Sequence, residues 1–411
     1  MVAAGTARDQ RVSVLLIVTL LGAFAVFGAR PTIIYRALDL GASNAEIGLI
    51  AAAFGFLALL GAVPVGRLAD RFGGRNVFVA GTLLATTTLV VLSLADSLVL
   101  LGIGHATLGL SQLMLAIGTQ TVISNLRPSS GRDQLIGTYS VINSLGHAIG
   151  PIMAGLILGS VASPQSSQLV FLLGAGAAVI AGGVAAISAA YPGARSGAGR
   201  GAKQSSIGET LGRPGMKQAI LGSVVLLTAV DLLLAYLPVY GESRGIPPQT
   251  IGLAIGVLSL SQIPTRLVLQ PLIARFGYVR ILVASMAAPA ILVLALLLPI
   301  GDVALIAVMG LIGLNLGMGQ PMSLILVALS SPADGRGLAM SLRQTGNRLG
   351  QFVIPAVFGA TVGQFGVAPI FVAVAVLLGV GSIAVRAGGA GPPPSPGVGR
   401  LEQAPATDRA I

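Results

Sequence analysis

The sequence predicts an all-α membrane protein with twelve transmembrane helices in two pseudo-symmetric bundles of six. Of the 411 residues, 54% are hydrophobic and only 9% are charged, whereas about a quarter of the residues in a soluble domain are charged. Apolar runs long enough to cross a bilayer recur along the chain. In addition, the two halves of the chain repeat each other at a fixed interval.

The twelve apolar runs each have the roughly 20 residues that a helix needs to cross about 30 Å of hydrocarbon. They lie at about 12–34, 44–65, 76–95, 98–126, 134–160, 168–191, 217–240, 249–272, 279–300, 303–329, 338–362 and 366–386. The predicted organisation is therefore an N-terminal segment 1–11, a bundle 12–191, a linker 192–216, a bundle 217–386 and a tail 387–411. The tail lacks an apolar face and is expected to be disordered.

A shift of 204 residues superimposes the halves without gaps. It brings together Gly41 and Gly245, Arg71-Phe-Gly73 and Arg275-Phe-Gly277, Asn143 and Asn347, Pro151 and Pro355, and Gly155 and Gly359. A constant register over several helices indicates that a six-helix unit was duplicated. Such a parallel repeat predicts a substrate site between the halves near the membrane midplane, and transport by rocking one bundle against the other.

The net charge of +11 follows membrane topology, because the basic residues lie mostly between apolar runs. Counted over alternate connections, one side of the membrane holds only Arg36 and Arg244, and the other side holds all the remaining loop arginines and lysines. We expect the protein in the inner (plasma) membrane of the cell. The positive-inside rule then places both termini and the linker in the cytoplasm. Nucleic acid is not an expected partner.

Enzyme chemistry is not predicted. The sequence has no cysteine and only two histidines, whose spacing does not suit a metal site. It also lacks a glycine-rich phosphate loop followed by Lys-Ser/Thr, so ATP is not the expected energy source. We expect no cofactor and no metal, and a monomer whose partners are protons, lipid and a small-molecule substrate.

A dense charged loop follows the second run and reads Gly66-Arg-Leu-Ala-Asp70-Arg71-Phe-Gly73-Gly-Arg75. Gly66 and Gly73 permit a tight reversal and close helix approach, and Asp70 can pair with a neighbouring helix N-terminus. The loop resembles the one between the second and third helices of major facilitator superfamily (MFS) transporters. That resemblance implies the MFS fold and a cytoplasmic latch between the halves, although the arginines alone would serve as topology signals.

The fifth run contains Gly146-His-Ala-Ile-Gly150-Pro151-Ile-Met-Ala-Gly155. It resembles a motif of the twelve-helix drug/proton antiporters of the same superfamily. Glycines at this spacing let another helix approach closely, and a proline bends a span, so helix packing alone would explain the pattern. The resemblance favours export over uptake.

The fourth run has His105 where the family pattern has an arginine, and Gln112 follows on the same face. Histidine titrates near neutrality and is a candidate for relaying protons. The alternative is a neutral histidine bonded to a backbone carbonyl.

Charge inside the bilayer is the strongest mechanistic signal, because embedded ionisable groups normally face a cavity. Away from the ends of the runs lie four embedded arginines, Arg30, Arg266, Arg343 and Arg348, and one embedded carboxylate, Asp231. We predict that Asp231 carries a proton; the alternative is a structural Asp231–arginine pair. In the repeat register Asp231 matches Phe27, one turn before Arg30.

The eleventh run presents two adjacent polar stripes, and Arg343 is near enough to the inner surface to reach it. The stripes are Gln344, Arg348 and Gln351, and Arg343, Asn347 and Gly350; the matching stripe of the fifth run is Ser140, Ser144 and His147. In the tenth run, Asn315, Gln320 and Pro321 predict a broken, polar stretch that lines a cavity. The glycines between them could equally serve packing.

With four embedded arginines against one aspartate, the predicted cavity is positive and suits an anionic or zwitterionic cargo. An aromatic fraction of 4% offers little material for an aromatic cage around a lipophilic cation. We interpret the chain as a proton-coupled secondary transporter that exports a small organic compound. The alternatives are a symporter that imports an organic anion, a receptor or scaffold that no longer transports, and a flippase for a lipid or sugar conjugate.

Overall fold

A computed structural model describes residues 2–124, 132–188, 206–331, 336–361 and 365–388. The described chain is helical and contains no strand. The helices are α1 Val2–Asp39, α2 Asn44–Phe72, α3 Gly74–Ser93, α4 Leu98–Ser124, α5 Arg132–Leu158, α6 Pro164–Ile187, α7 Ile207–Gly212, α8 Met216–Arg244, α9 Pro248–Leu267, α10 Leu269–Phe276, α11 Tyr278–Leu294, α12 Asp302–Leu329, α13 Arg336–Thr361 and α14 Ala368–Ala387. The predicted linker contains the short helix α7, and most of the predicted tail lies outside the described residues.

Ten of the described helices are long and apolar enough to cross a membrane. The pair α9 and α10, which is bent by 64°, passes the same test only when the two helices are taken together, so the described chain has up to eleven spans; the sequence predicted a single run at 249–272. Pro271 explains the break, since its ring clashes with the carbonyl of the residue four positions earlier. The remaining predicted span, α13, is long enough but is not among these spans; its sequence is polar, with Gln344, Asn347 and Gln351 beside Arg343 and Arg348.

Helix ends follow local capping rules. Ser43 caps α2: its hydroxyl accepts from the Glu46 amide, and the Glu46 carboxylate accepts from the Ser43 amide at 2.8 Å. Such reciprocal bonds satisfy donors that a helix start leaves free. Between α2 and α3 the chain reverses at Gly73, where φ is +84° and a side chain would be strained; its repeat partner Gly277 has φ +78°.

The helices form an N-terminal half, α1–α6, and a C-terminal half, α8–α14. We call the side that carries α7 and the turns at Gly73 and Gly277 the linker side. The other side, which carries the turns at Gly41, Gly159 and Gly245, is called the opposite side. The positive φ values of Gly41 (+79°) and Gly245 (+66°) again follow the 204-residue repeat.

On the opposite side the halves meet through two glycine pairs, where α2 packs on α13 and α5 on α9. A Cβ built on Gly48 would lie 2.5 Å from the Cα of Gly359, and one on Gly155 would lie 2.9 Å from the Cα of Gly252. The repeat exchanges these pairs, since it matches Gly48 with Gly252 and Gly155 with Gly359. Backbones can approach this closely only where neither residue has a side chain.

Hydrogen bonds reinforce closure on the opposite side. The Tyr236 hydroxyl donates to the backbone carbonyl of Asn44 at 3.1 Å, and the backbone N–H of Gln249 donates to the backbone carbonyl of Gly159 at 3.2 Å. Each bond joins one half to the other. The halves are therefore closed against each other at this end.

The predicted latch does not reach the C-terminal half in this conformation. Asp70 and Arg71 are exposed, and among the described side chains Asp70 forms no ion pair. The Arg75 guanidinium donates to the Ala185 carbonyl of its own half at 3.0 Å. Around Gly66 no neighbouring helix lies within 4 Å of the Cβ position in this conformation; the reversal occurs at Gly73, and close helix approach at Gly66 stays a prediction.

Candidate functional site

The site centres on an ion pair between the halves. Arg30 of α1 donates from Nη2 to Oδ1 of Asp231, which lies in the middle of α8, at 2.6 Å. Each residue is only 6% exposed. Breaking such a buried pair by removing one partner leaves an uncompensated charge and costs about 3–5 kcal/mol. From the sequence we considered a pair between Asp231 and an unspecified arginine, and the structure shows that Arg30 is in direct contact with Asp231.

The second carboxylate oxygen of Asp231 is also occupied. Gln351 of α13 donates its amide to Oδ2 of Asp231, and the Gln351 carbonyl oxygen accepts from Nη1 of Arg348 at 2.8 Å. One carboxylate thus links two arginines across three helices. The two guanidinium groups outnumber the carboxylate, so this buried cluster carries a net positive charge.

Aromatic rings complete the surroundings of Arg30. Its guanidinium carbon lies 4.1 Å from the ring centre of Phe54 and 5.5 Å from that of Phe27, within the range of cation–π attraction. Nε of Arg30 is buried without a hydrogen-bond partner. The guanidinium is therefore held by ring faces and one carboxylate, and retains unused donor capacity.

His147 of α5 stacks on Phe27 with ring centres 3.5 Å apart, and its Nε2 lies 3.1 Å from the Asn143 amide nitrogen. The repeat matches Phe27 with Asp231 and His147 with Gln351, so this stacked pair is the counterpart of the carboxylate–amide pair. Sequence reasoning placed His147 on a polar stripe but gave it no role. The register that aligned Phe27 with Asp231 was the signal that could have identified it.

His105 occupies the second of the two environments considered for it. The residue is 2% exposed, and its Nδ1 lies 2.7 Å from the Ile50 carbonyl oxygen. Its ring is tilted against Phe54, with centres 5.0 Å apart. This is the geometry of a neutral histidine that bonds a backbone carbonyl. No described contact joins His105 to Asp231, so a proton-relay role for His105 stays a prediction.

The other predicted cavity residues are scattered. Gln112 is half-buried, and its side-chain oxygen has no described partner; Asn347 is buried with its side-chain oxygen likewise unpartnered. The Asn315 amide donates to the Leu311 carbonyl of its own helix at 2.8 Å. No described contact joins these three residues to the Arg30–Asp231 pair.

Two expectations about the C-terminal half are corrected. The tenth span is not broken, since α12 runs continuously from Asp302 to Leu329 through Pro321. Its glycines serve packing: a Cβ on Gly317 would lie 2.7 Å from the Cα of Gln262. Arg343 does not extend to the membrane surface, because it donates to Ser223 of α8 at 2.8 Å.

The motif of the fifth span divides its glycines between two neighbours. Gly146 and Gly150 face α1, where Cβ atoms would meet the backbone of residues 20–28, whereas Gly155 faces Gly252 of α9. The carbonyl of Pro151 also lies against Gly252. The motif therefore joins α5 both to its own half and to the other half.

Comparison with known proteins gives the family. The sequence profile described as Major Facilitator Superfamily matches residues 15–300 and 219–410. The chain belongs to the major facilitator superfamily. Together with its many membrane-spanning helices, this makes it a multi-pass membrane protein.

Individual relatives are distant. The chain is 26% identical over 112 residues to a multi-drug resistance efflux pump PmrA homolog of Lactococcus lactis, covering 27% of this chain and 28% of that one. It is 25% identical over 119 residues to the quinolone resistance protein NorA of Staphylococcus aureus, covering 29% and 31%. The chain thus spans less than a third of the length of these curated relatives.

A solved structure confirms the fold over nearly the whole chain. The nucleoside transporter NupG superimposes with a TM-score of 0.74 at 17% identity, covering 92% of this chain and 99% of that one. At 17% identity the similarity establishes a shared architecture and nothing about the substrate.

Proposed function

We propose that this protein is a proton-coupled secondary transporter that exports a small organic compound from the cytoplasm across the inner membrane. The observation that carries the proposal is the buried Arg30–Asp231 ion pair between the halves. Asp231 carries the proton, and Arg30 and Arg348 hold the anionic group of the cargo. The two termini lie in the cytoplasm, so the linker side is the cytoplasmic side.

Protonation of Asp231 acts directly on the contact between the halves. A protonated carboxyl group no longer neutralises Arg30, and the attraction that joins α1 to α8 is lost. Because the pair lies deeper in the helices than the glycine pairs, its loss weakens the association of the two bundles on the linker side of those pairs. A group that titrates at the junction of two rigid bodies couples protons to their movement.

The charge of the cargo sets the sign of the coupling. A zwitterion places its carboxylate on Arg30 and its ammonium on Asp231, so cargo and proton compete for Asp231 and exchange across the membrane. A plain anion draws Arg30 away and leaves a buried, unpaired carboxylate, which is neutralised by a proton. An anion would therefore travel together with a proton.

Export of a zwitterion fits three observations best. The cluster contains both a carboxylate and two guanidinium groups, the fifth span resembles the motif of drug/proton antiporters, and one distant relative is named an efflux pump. Import of an organic anion by symport is the second candidate, because the positive charge of the cluster favours it. A receptor that does not transport would have no use for a buried titratable pair.

The test uses purified protein in liposomes with a pH-sensitive dye inside. Compounds of one size are added outside in three forms: an amino acid, the carboxylate without the amine, and the amine without the carboxylate. Antiport of the zwitterion makes the interior alkaline, whereas symport of the anion makes it acidic. We expect the first signal, its loss in Asp231→Asn, and its retention in the control Asp96→Asn, which changes an exposed carboxylate at the α3–α4 connection.

Acidification of the interior by the carboxylate without the amine would show symport of an anion, and the proposal of export would then be abandoned. No signal from any compound, or an undiminished signal in Asp231→Asn, would overturn the proton-carrying role of Asp231.

A further inference from the structure

Arg343 of α13 is a half-buried cation apart from the central cluster of Arg30, Asp231 and Arg348. Its Nη1 donates to Ser223 Oγ at 2.8 Å, to Gln320 Oε1 at 3.3 Å and to Ser323 Oγ at 3.4 Å. Among the described residues no carboxylate forms an ion pair with it. A half-buried guanidinium with only neutral acceptors lacks the counter-ion that such charges normally have.

All the bonds of Arg343 use one nitrogen. Nε is buried and has no partner, and among the described contacts Nη2 makes no hydrogen bond. These two nitrogens form the side-on edge of the guanidinium, whose parallel N–H groups match two oxygens of a carboxylate or phosphate. The free edge is thus the one suited to bidentate anion binding.

Neighbouring side chains hold this edge in place. The Gln320 amide donates to the Ser223 carbonyl at 3.0 Å, and the Ser223 hydroxyl donates to Gln320 Oε1 at 3.4 Å. Ser223, Gln320 and Ser323 therefore fix the guanidinium from α8 and α12. A site preorganised in this way loses little conformational entropy when an anion binds.

We propose that Arg343, with Ser223, Gln320 and Ser323, binds a carboxylate or phosphate group. Along α13, Arg343 lies five residues from Arg348 toward the linker side, about 7.5 Å of helix. The site is therefore separate from the central pair, and it does not depend on Asp231 carrying a proton. The bound group belongs either to a cargo between the central site and the linker side or to a free anion.

The test measures thermal unfolding of the detergent-solubilised protein by far-UV circular dichroism. Acetate and inorganic phosphate are the probes, at ionic strength held constant with a bulky alkylsulfonate, which is transparent in the far ultraviolet. We expect at least one probe to raise Tm to a plateau in the wild type and equally in Asp231→Asn. Arg343→Gln should lose the rise, and Arg343→Lys should need more of the anion, since lysine keeps the charge but not the bidentate edge.

A second variant guards against misfolding of Arg343→Gln. Gln320→Glu supplies a carboxylate beside Nη1, so it should raise Tm without added anion and abolish the response. A rise of unchanged size in Arg343→Gln or Gln320→Glu, or no rise in the wild type with either probe, would overturn the site.

A transport assay then shows whether the bound carboxylate or phosphate belongs to the cargo or to a free anion. If it belongs to the cargo, Arg343→Gln raises KM for the zwitterion that gives the proton signal. If it is a free anion, KM is unchanged and only the Tm response disappears.

Discussion

At the scale of residues, a single carboxylate is the counter-ion of two buried arginines. Asp231 binds Arg30 directly and Arg348 through Gln351. A structural ion pair and a proton-carrying pair look alike in one conformation. They differ in what happens when both charges are removed together.

We predict that the double variant Arg30→Gln/Asp231→Asn separates the two roles. Each single variant leaves Arg30 or Asp231 without its direct partner, which costs about 3–5 kcal/mol. The double variant removes both charges and leaves only Arg348, which still donates to Gln351, without a counter-ion, so the recovery of Tm should be partial. Tm should therefore fall in both single variants and rise again, in part, in the double variant. Proton movement in liposomes should stay absent in the double variant; its return together with Tm would mean that the pair is structural only.

The environment of His105 leads to a second prediction. Glutamine at this position can still donate to the Ile50 carbonyl, but it cannot carry a proton. His105→Gln should therefore retain the dye signal and the Tm of the wild type. A folded His105→Gln protein with no proton movement would show that this histidine, and not Asp231 alone, carries the proton.

At the scale of elements, the two glycine pairs determine which end of the molecule closes. A methyl group on Gly359 would lie 2.7 Å from the Cα of Gly48, and one on Gly252 would lie 2.4 Å from the Pro151 carbonyl oxygen. Both neighbours are backbone, so neither can move aside as a flexible side chain would. The glycine contacts therefore belong to the closed opposite side, and they separate when that side opens.

We predict that Gly359→Ala or Gly252→Ala opens the opposite side. Because the sequence has no cysteine, spin labels attach only to introduced thiols. Labels at Asp96→Cys and Glu242→Cys, both exposed at this end, should show a longer distance by double electron–electron resonance. Gly176→Ala is the matched control, since no atom lies within 4 Å of its Cβ position. An unchanged distance in both interface variants would argue against the glycine pairs as the closing contact.

At the scale of the whole molecule, the sequence predicted architecture better than contacts. The 204-residue shift anticipated the paired halves and the matching turns, because duplication preserves glycines such as Gly73 and Gly277 whose backbone requires them. Independently of the repeat, the sequence also singled out Asp231, because it is the only embedded carboxylate in the predicted spans. The contact of Arg343 with the predicted cavity residue Gln320, and with Ser223 and Ser323, was not predictable, because these residues lie on two other helices and nothing in the sequence indicates how those helices pack.

The conformation could not be predicted from the sequence either. The latch residue Asp70 and the glycine pairs are compatible with either end being closed, and only their distances show that the opposite side is closed here. The break after α9 was missed because Pro271 could not be distinguished in sequence from prolines such as Pro321, which lies within a continuous helix. Domain boundaries, latch and proton-carrying roles stay predictions.

The central claim, that protonation of Asp231 loosens the two halves, is tested most directly by pH titration of one distance. Labels at Asp96→Cys and Glu242→Cys are followed by double electron–electron resonance in the wild-type and Asp231→Asn backgrounds. We predict that acidification shifts the wild-type distribution toward the longer distance, and that Asp231→Asn shows the longer distance at every pH. A pH-dependent shift that persists unchanged in Asp231→Asn would contradict the claim.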